Sequence, residues 1–326
     1  MLLISDLHLR DETADTVLGQ VLPGIREAAH EHGVSDIGIL GDVFHIRYRV
    51  SVRLLNSLRD AFAAWGAERL NVRIIPGNHD QIDVEGRNAL ETLGDLPCVQ
   101  VYSQPTWDPY GLWFPYRKPE LFVSELERMI AVRPFEGLIG TLFCHQGFRG
   151  AMVNDGYVDE DGIPLALLDP FDNVMCGHYH KRQQVGSRLT YVGSAYQVSA
   201  GESGQRKGYH LWKEHRLTFF ERDWGRKYHR AALAAGETLD THGLGKDDDI
   251  RLQTETVEDA ERIGRMLTEL GYTHHTVTPK VTAVESRIKP QNESLESYAR
   301  AYADKVAPPD LDRLTLQAVF EEITNG

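Results

Sequence analysis

Five short apolar runs in the first part of the chain each end at glycine, acidic, amide or histidine side chains. These runs are Leu2–Ser5, Asp36–Leu40, Val72–Pro76, Leu138–Cys144 and Asn173–Cys176. Their length, apolar content and polar termination are typical of buried β-strands. Between them, residues 13–32, 51–65 and 119–132 carry apolar side chains at helical spacing. This alternation of strands and helices predicts an α/β fold.

The chain changes character over residues 182–222, where short β-prone runs alternate with turns. The predicted strands are Gln183–Val185, Leu189–Val192, Tyr209–Trp212 and Leu217–Phe220. We expect them to be antiparallel and to add a meander to the sheet. Within the first helical segment, Pro23 predicts a kink or a late helix start.

The last third of the chain predicts a smaller unit after an Ala- and Gly-rich linker over 231–247. Ile250–Thr254, Val257–Leu270 and His275–Thr278 are predicted as strand, helix and strand, and 294–306 and 310–323 as two helices. We therefore expect a main domain over 1–230, a small α+β domain over 248–285 and terminal helices over 290–326.

Composition sets only broad limits. The net charge is −13, but residues 231–326 contribute −8 of it, so the acidic total says little about substrate binding by residues 1–230. No apolar run approaches the roughly 18 residues that span a bilayer, and Met1–Ser5 lacks a basic signal-peptide region. Three cysteines give no disulfide framework. We expect a cytoplasmic protein, with Cys144 and Cys176 as small buried residues.

The polar residues that follow the strands are those that bind metal ions. Asp6 and His8 follow the first run, and side chains two residues apart on an extended backbone point the same way. Asp42 follows Gly41 after the second run, and Asn78 supplies an amide oxygen after the third. Each of the first two motifs alone is more often a solvated turn, whereas Gly77–Asp80 is already unlikely as a chance turn, and the recurrence at successive strand ends favours a shared site.

Three histidines complete the set of candidate ligands. His145 ends the fourth run, and His178 and His180 follow the fifth. Together with the earlier residues they provide seven ligands, which fits two cations that share one carboxylate. The adjacent His79 is available to donate a proton, with Asp80 or another carboxylate to orient it.

At this point the sequence resembles the calcineurin-like metallophosphoesterase superfamily, whose pattern D-x-H, G-D, G-N-H-D/E, H, G-H-x-H occurs here in full and in order. The resemblance implies a four-layer α/β/β/α sandwich. It implies one metal bound by Asp6, His8, Asp42 and His180, and a second bound by Asp42, Asn78, His145 and His178. Asp42 would bridge two divalent ions, expected to be manganese, with iron or zinc as alternatives. His79 would protonate the leaving oxygen of a phosphoester.

The residue three positions beyond the bridging aspartate narrows the substrate. It is His45, where many phosphatases of the superfamily have an aspartate. This resembles the SbcD-type DNA repair nucleases, which are the catalytic partners of coiled-coil SMC-like ATPases. The stretch from Tyr191 to Tyr209 is also similar to those nucleases. The resemblance therefore implies a DNA exonuclease or endonuclease subunit in which His45 has a catalytic role. It also implies that the terminal helices dock on the ATPase. By the same resemblance, a homodimer is expected to form through helices near 51–65 and 87–94.

Three arginines follow His45, namely Arg47, Arg49 and Arg53. They are candidates for contacts with DNA phosphates, and a solvated helix start explains them equally well. Two other functions remain open at this stage. One is a stand-alone phosphatase or phosphodiesterase for a small substrate, and the other is a scaffold with a decayed metal site.

Overall fold

The structure, a computed structural model, describes residues 1–83, 86–133, 139–154, 156–214 and 216–280. Its strands are β1 Leu2–Ile4, β2 Asp36–Leu40, β3 Asn71–Ile75, β4 Val99–Val101, β5 Thr106–Asp108, β6 Gly111–Phe114, β7 Ile139–His145, β8 Met152–Asn154, β9 Tyr157–Val158, β10 Phe171–Gly177, β11 Gln183–Val185, β12 Leu189–Tyr191, β13 Gly208–Lys213, β14 Arg216–Glu221, β15 Tyr228–Leu233, β16 Asp249–Thr254 and β17 His274–Pro279. The main helices are α1 Leu22–His32, α2 Val52–Ala67, α3 Pro119–Ala131 and α4 Val257–Glu269.

Two six-stranded sheets form the larger part of the molecule. The first has the order β14-β13-β1-β2-β3-β4, and the second has the order β11-β12-β10-β7-β6-β5. Strands β1 to β4 run parallel, as do β12, β10, β7 and β6, while β13, β14, β5 and β11 pair antiparallel. The carboxyl ends of the central strands of each sheet therefore open at a common edge, which is where open α/β sheets bind ligands.

The two sheets pack face to face through a continuous apolar core. Leu3, Leu40 and Ile75 come from the first sheet and meet Trp113 and Phe143 of the second. The Trp113 and Phe143 rings stack with their centroids 4.3 Å apart. On their outer faces, α1 and α2 cover the first sheet and α3 covers the second. This four-layer α/β/β/α arrangement confirms the predicted fold class.

The late strands differ from the predicted meander. They form two hairpins that join different sheets, because β11 and β12 extend the second sheet whereas β13 and β14 extend the first. Residues Asp11–Val21 form short 3-10, α- and π-helical turns, and the regular helix α1 begins only at Leu22, with Pro23 in its first turn. The backbone angles given at Thr16, Val17, Val21 and Leu22 are all helical, so the helical path continues from Ala14 into α1 and the expected late start is wrong. Pro23 follows a π-helical turn, which interrupts the regular hydrogen bonding of that path.

A third sheet has the parallel order β15-β16-β17, with α4 packed on one face. Ile250 and Leu252 on that face meet Ile263 and Leu267 of the helix. Because Tyr228–Leu233 is the first strand of this sheet, the linker prediction over 231–247 is wrong at its start, and the boundary expected after residue 230 falls inside a strand. The predicted helices at 294–306 and 310–323, and residues 281–285, lie outside the described residues. Within the described ranges, no helix is long and apolar enough to cross a membrane.

We expect the core between the sheets to dominate the stability of the larger unit. Trp113 is fully buried there, so Trp113→Ala should lower the free energy of unfolding by about 3–5 kcal/mol through lost burial and a residual cavity. Urea unfolding followed by circular dichroism measures this change. The control Leu121→Ala, at an exposed position of α3, should change it by less than about 0.5 kcal/mol. Equal effects of the two substitutions would contradict the expectation.

Candidate metal centre

The loops that follow β1 and β2 run side by side. The backbone N–H of Asp6 donates to the Gly41 carbonyl at 3.0 Å, and that of His8 donates to the Asp42 carbonyl at 2.9 Å. Asp6, His8 and Asp42 have φ angles of +54°, +44° and +52°, and His178 has +93°. Non-glycine residues in this region cost about 1–3 kcal/mol each unless the surroundings enforce the conformation. The fold therefore holds four candidate ligands in strained backbone positions.

Gly77 shows how closely the third loop approaches the second. A Cβ atom at this position would collide with the carboxylate and the backbone nitrogen of Asp42. Glycine therefore permits the approach that brings Asn78 and His79 next to Asp42. The backbone N–H of His79 donates to Asp42 Oδ1 at 2.8 Å, which fixes the orientation of the buried carboxylate.

One group of ligand atoms gathers around His180. His8 Nε2 lies 2.9 Å from His180 Nε2 and 3.7 Å from Asp42 Oδ2. His180 Nε2 lies 3.8 Å from Asp6 Oδ1. These four residues are the set that the family resemblance implies for one metal. All of them except the half-exposed His180 are buried.

A second group gathers around Asn78. Its Oδ1 atom lies 2.9 Å from His178 Nδ1 and 3.1 Å from His145 Nε2. His145 Nε2 also lies 3.4 Å from Asp42 Oδ2. The carboxylate of Asp42 therefore borders both groups, and all seven candidate ligands of the sequence come together at one edge of the two sheets.

These distances fit divalent cations. Two ligand atoms that are each about 2.1 Å from one ion lie roughly 3.0–3.4 Å apart, depending on the coordination geometry. The observed separations within the two groups run from 2.9 Å to 3.8 Å. The mixture of imidazole, carboxylate and amide ligands suits manganese, iron or zinc. The clustered histidines and aspartates can thus hold metal ions, and the donor set alone leaves the metal open.

The protonation states of the histidines differ within the site. Burial lowers the pKa of His8 to about 2 and, with the neighbouring His145, that of His178 to about 3, so both rings are neutral and offer lone pairs. Burial also acts against charge on His145, but the attraction of Asp42 exceeds it and raises the pKa of His145 to about 9. Its Nδ1–H donates to the Leu40 carbonyl at 2.7 Å, which directs Nε2 at the site.

His79 lies beside both groups. Its Nδ1–H donates to the His45 carbonyl at 2.7 Å, and its Nε2 has no hydrogen-bond partner among the residues that the structure describes. Its ring stacks on that of His45 with centroids 5.5 Å apart, and His45 Nδ1 lies 3.2 Å from His8 Nδ1. Nitrogen atoms of His8, His45 and His79 also come within 4.8 Å of one another. The group that orients His79 is therefore a backbone carbonyl.

Asp80 has a different position from the one expected of a carboxylate that orients His79. It is buried and accepts hydrogen bonds from the backbone N–H groups of Val43, Phe44 and Gly77 at 3.2, 2.8 and 2.9 Å. Burial and the charge of Asp42 raise the pKa of Asp80 to about 7, although these three donors oppose the shift. Asp80 thus ties the second and third loops together.

Sequence reasoning missed a buried ion pair behind His180. Glu202 Oε1 lies 2.8 Å from His180 Nδ1, and Lys207 Nζ lies 2.6 Å from Glu202 Oε2. Lys207 also donates to the His180 carbonyl at 2.8 Å and to Ser194 Oγ at 2.7 Å. Burial disfavours charge on Glu202, but its bond to His180 and the charge of Lys207 lower its pKa to about 2. Both residues of this ion pair lie in the stretch from Tyr191 to Tyr209. Their contacts with His180 are visible only in the folded structure.

The arginines after His45 lie at the rim of the site. Arg47 and Arg49 are exposed, and Arg53 forms an exposed ion pair with Asp11 at 2.6 Å, which contributes little to stability. Burial and the nearby Arg10 lower the pKa of His45, so a further cation lies close to this edge. The charge of Arg47 lowers the pKa of Tyr116, whereas Arg53 is paired with Asp11.

No protein-family model matches the chain, and no curated protein sequence matches it. Among solved structures, the chain is similar to the crystal structure of the Pseudomonas putida nuclease MPE, with a TM-score of 0.30 and 18% identity. The match covers 66% of this chain and 84% of that one. A TM-score this low supports no conclusion about activity, so conclusions about function depend on the geometry of the site.

We expect Glu202 to support metal binding through His180. Glu202→Ala should weaken manganese binding by about 10- to 100-fold, because His180 loses the hydrogen bond that fixes its ring and tautomer. Titration calorimetry on the metal-free protein measures this affinity. Glu221→Ala, which removes an exposed carboxylate paired with Arg206, is the matched control and should leave it unchanged. Unaltered affinity in Glu202→Ala would exclude this role.

Metal binding should release protons at neutral pH. In the metal-free protein, the raised pKa of His145, about 9, keeps its ring protonated there, and a cation needs the neutral ring. Manganese affinity should therefore rise with pH and level off above the pKa of His145. Calorimetry in buffers of different ionisation enthalpy measures the number of protons released. A binding enthalpy independent of the buffer would show that His145 is already neutral.

Proposed function

We propose that this chain is a two-metal phosphodiesterase, and more specifically a DNA nuclease subunit of the SbcD type. The observation that carries the proposal is the arrangement of two ligand groups around the shared carboxylate of Asp42, with His79 beside them and Nε2 of that ring unbound. Two unlike cation sites next to a proton donor suit hydrolysis of a phosphate ester better than a structural metal site, which usually closes around one ion.

The two ligand groups around Asp42 would hold divalent cations, whose chemistry when bound would be to polarise phosphoryl oxygens and to lower the pKa of bound water. The chain's own residues orient the other participants. The backbone N–H of His79 and the ring of His145 hold the Asp42 carboxylate between the two groups. The His45 carbonyl fixes the His79 tautomer, so His79 Nε2 is the atom that exchanges a proton with the leaving oxygen. No covalent intermediate on the protein is needed.

DNA is the substrate that we propose. His45 occupies the position that resembles the SbcD-type nucleases, and exposed Arg47 and Arg49 follow it at the rim. Guanidinium groups there can meet phosphates on either side of the scissile bond. The net charge of −5 over residues 1–230 is small enough for two dications to offset most of it.

The proposed partners rest on the resemblance alone. We propose that an SMC-like ATPase binds residues 290–326, which lie outside the described residues, and that a homodimer forms through the segments near 51–65 and 87–94 in the cytoplasm. Co-purification of an SMC-like ATPase with the full chain, and its loss after deletion of 286–326, would support the docking segment. Retention of the ATPase by the shortened chain would exclude it.

A nuclease assay tests the proposed activity. The manganese-loaded wild type should cleave linear and hairpin DNA duplexes. Asn78→Ala should abolish cleavage by weakening metal binding, and His79→Ala should reduce it by about 10²- to 10⁴-fold with metal binding retained. The control His30→Ala changes an exposed histidine that pairs with Glu68 and should have no effect.

The assay also separates the alternatives. Hydrolysis of bis(p-nitrophenyl) phosphate without any cleavage of DNA would show a phosphodiesterase for small substrates. Absence of bound manganese, iron or zinc together with absence of both activities would show a scaffold with a decayed site. Either result would overturn the proposal of a DNA nuclease.

A further inference from the structure

Tyr116 follows β6 and is fixed by its backbone against the third loop. Its N–H donates to the Pro76 carbonyl at 2.9 Å, and its carbonyl accepts from Gln81 Nε2 at 2.8 Å. These bonds flank the turn that carries Asn78 and His79. These two hydrogen bonds of the Tyr116 backbone therefore fix the position of Tyr116 relative to the metal ligands.

The ring of Tyr116 borders the Asn78 group of ligands. Its centroid lies 6.1 Å from the ring of His178 and 6.4 Å from that of His145. The side chain is half-buried. Its hydroxyl makes no hydrogen bond within the part of the chain that the structure describes, in contrast to Tyr102, whose hydroxyl donates to Asp108 at 2.8 Å. Partly buried tyrosine hydroxyls usually have a partner, so this donor is available to a ligand.

The Tyr116 hydroxyl is a protonated donor. Burial contributes most to the raised pKa of Tyr116, Arg47 lowers this pKa, and Asp42 and Glu120 raise it further. Arg47 is exposed at the rim. An oxyanion placed between the phenol and the metal ligands would meet an O–H donor on one side and a guanidinium nearby.

We propose that the Tyr116 hydroxyl donates a hydrogen bond to a non-bridging oxygen of the phosphate group bound on the Asn78 side of the site. Tyr116 would thereby position the scissile phosphodiester next to the ligands Asn78, His145 and His178. This role rests on the proposed phosphodiesterase function. Tyr116 lies outside the metal-ligand motifs of the sequence.

A packing role for the ring is the competing explanation, and Tyr116→Phe separates the two. Phenylalanine keeps the ring contacts with His145 and His178 and the backbone bonds to Pro76 and Gln81, and it removes only the hydroxyl. One hydrogen bond to a charged group corresponds to roughly a tenfold to hundredfold change in affinity. Tyr102→Phe, which removes a hydroxyl remote from the metal ligands, is the matched control.

The experiment uses the full manganese-loaded chain. Calorimetry measures binding of manganese and then of inorganic phosphate, and a kinetic assay measures kcat/KM on bis(p-nitrophenyl) phosphate. In Tyr116→Phe we expect unchanged manganese affinity, with phosphate affinity and kcat/KM each lower by about 10- to 100-fold. In Tyr102→Phe both should equal the wild type.

Unchanged phosphate affinity in Tyr116→Phe would overturn the proposal, and so would a loss of manganese affinity, because the hydroxyl would then act on the metal ligands. A wild type that binds phosphate through Tyr116 but hydrolyses neither the diester nor DNA would refute the phosphodiesterase function and leave the phosphate contact standing. The phosphate measurement therefore distinguishes the two failures.

Discussion

The carboxylate of Asp42 is the constraint on which the centre depends. It is buried, and an isolated buried carboxylate would be costly, so its surroundings must compensate for lost hydration. The His79 N–H binds one oxygen, and His145 and His8 approach the other at 3.4 Å and 3.7 Å. These contacts come from the ends of three different strands. Both sheets must therefore be assembled before this charge is stabilised, which couples the site to the whole four-layer fold.

The strained backbone around Asp42 also positions the candidate metal ligands. Positive φ angles at Asp6, His8 and Asp42 turn consecutive loop residues toward one point, and backbone bonds between the first two loops hold them there. Asp80 connects the third loop to the second, because its carboxylate accepts hydrogen bonds from three backbone N–H groups. A ligand set that is already positioned loses little conformational entropy when ions bind, which favours tight binding by short polar side chains.

Much of the fold and the ligand set could be predicted because both have local signatures. Apolar runs end one or two residues before Asp6, Asp42 and His178, and strand ends of a parallel sheet meet at one edge, so the sequence pattern implies proximity. Features that depend on distant pairing could not be predicted. The two hairpins over 183–221 look alike in sequence, yet they join opposite sheets, because the choice of sheet depends on packing across the molecule.

The same limit explains why the functions of individual polar residues were harder to predict than the ligand positions. Asp80 stands next to His79 in sequence, but adjacent side chains in a turn point apart, and its partners are backbone groups of two loops. Glu202 lies more than twenty residues from His180, in a 3-10 turn, and no periodic pattern links the two. A contact of this kind follows from tertiary structure alone.

The two sides of the centre are supported by different chemistry. Asp6 and Asp42 both face the His180 side, where the Glu202–Lys207 ion pair closes the rear of the site with protein groups. On the other side, Asn78 contributes a neutral amide, but the carboxylates of Asp6 and Asp42 both lie within 4.8 Å of His145 as well. The Tyr116 ring borders the Asn78 side, which therefore has the hydroxyl donor that we propose for an anionic substrate.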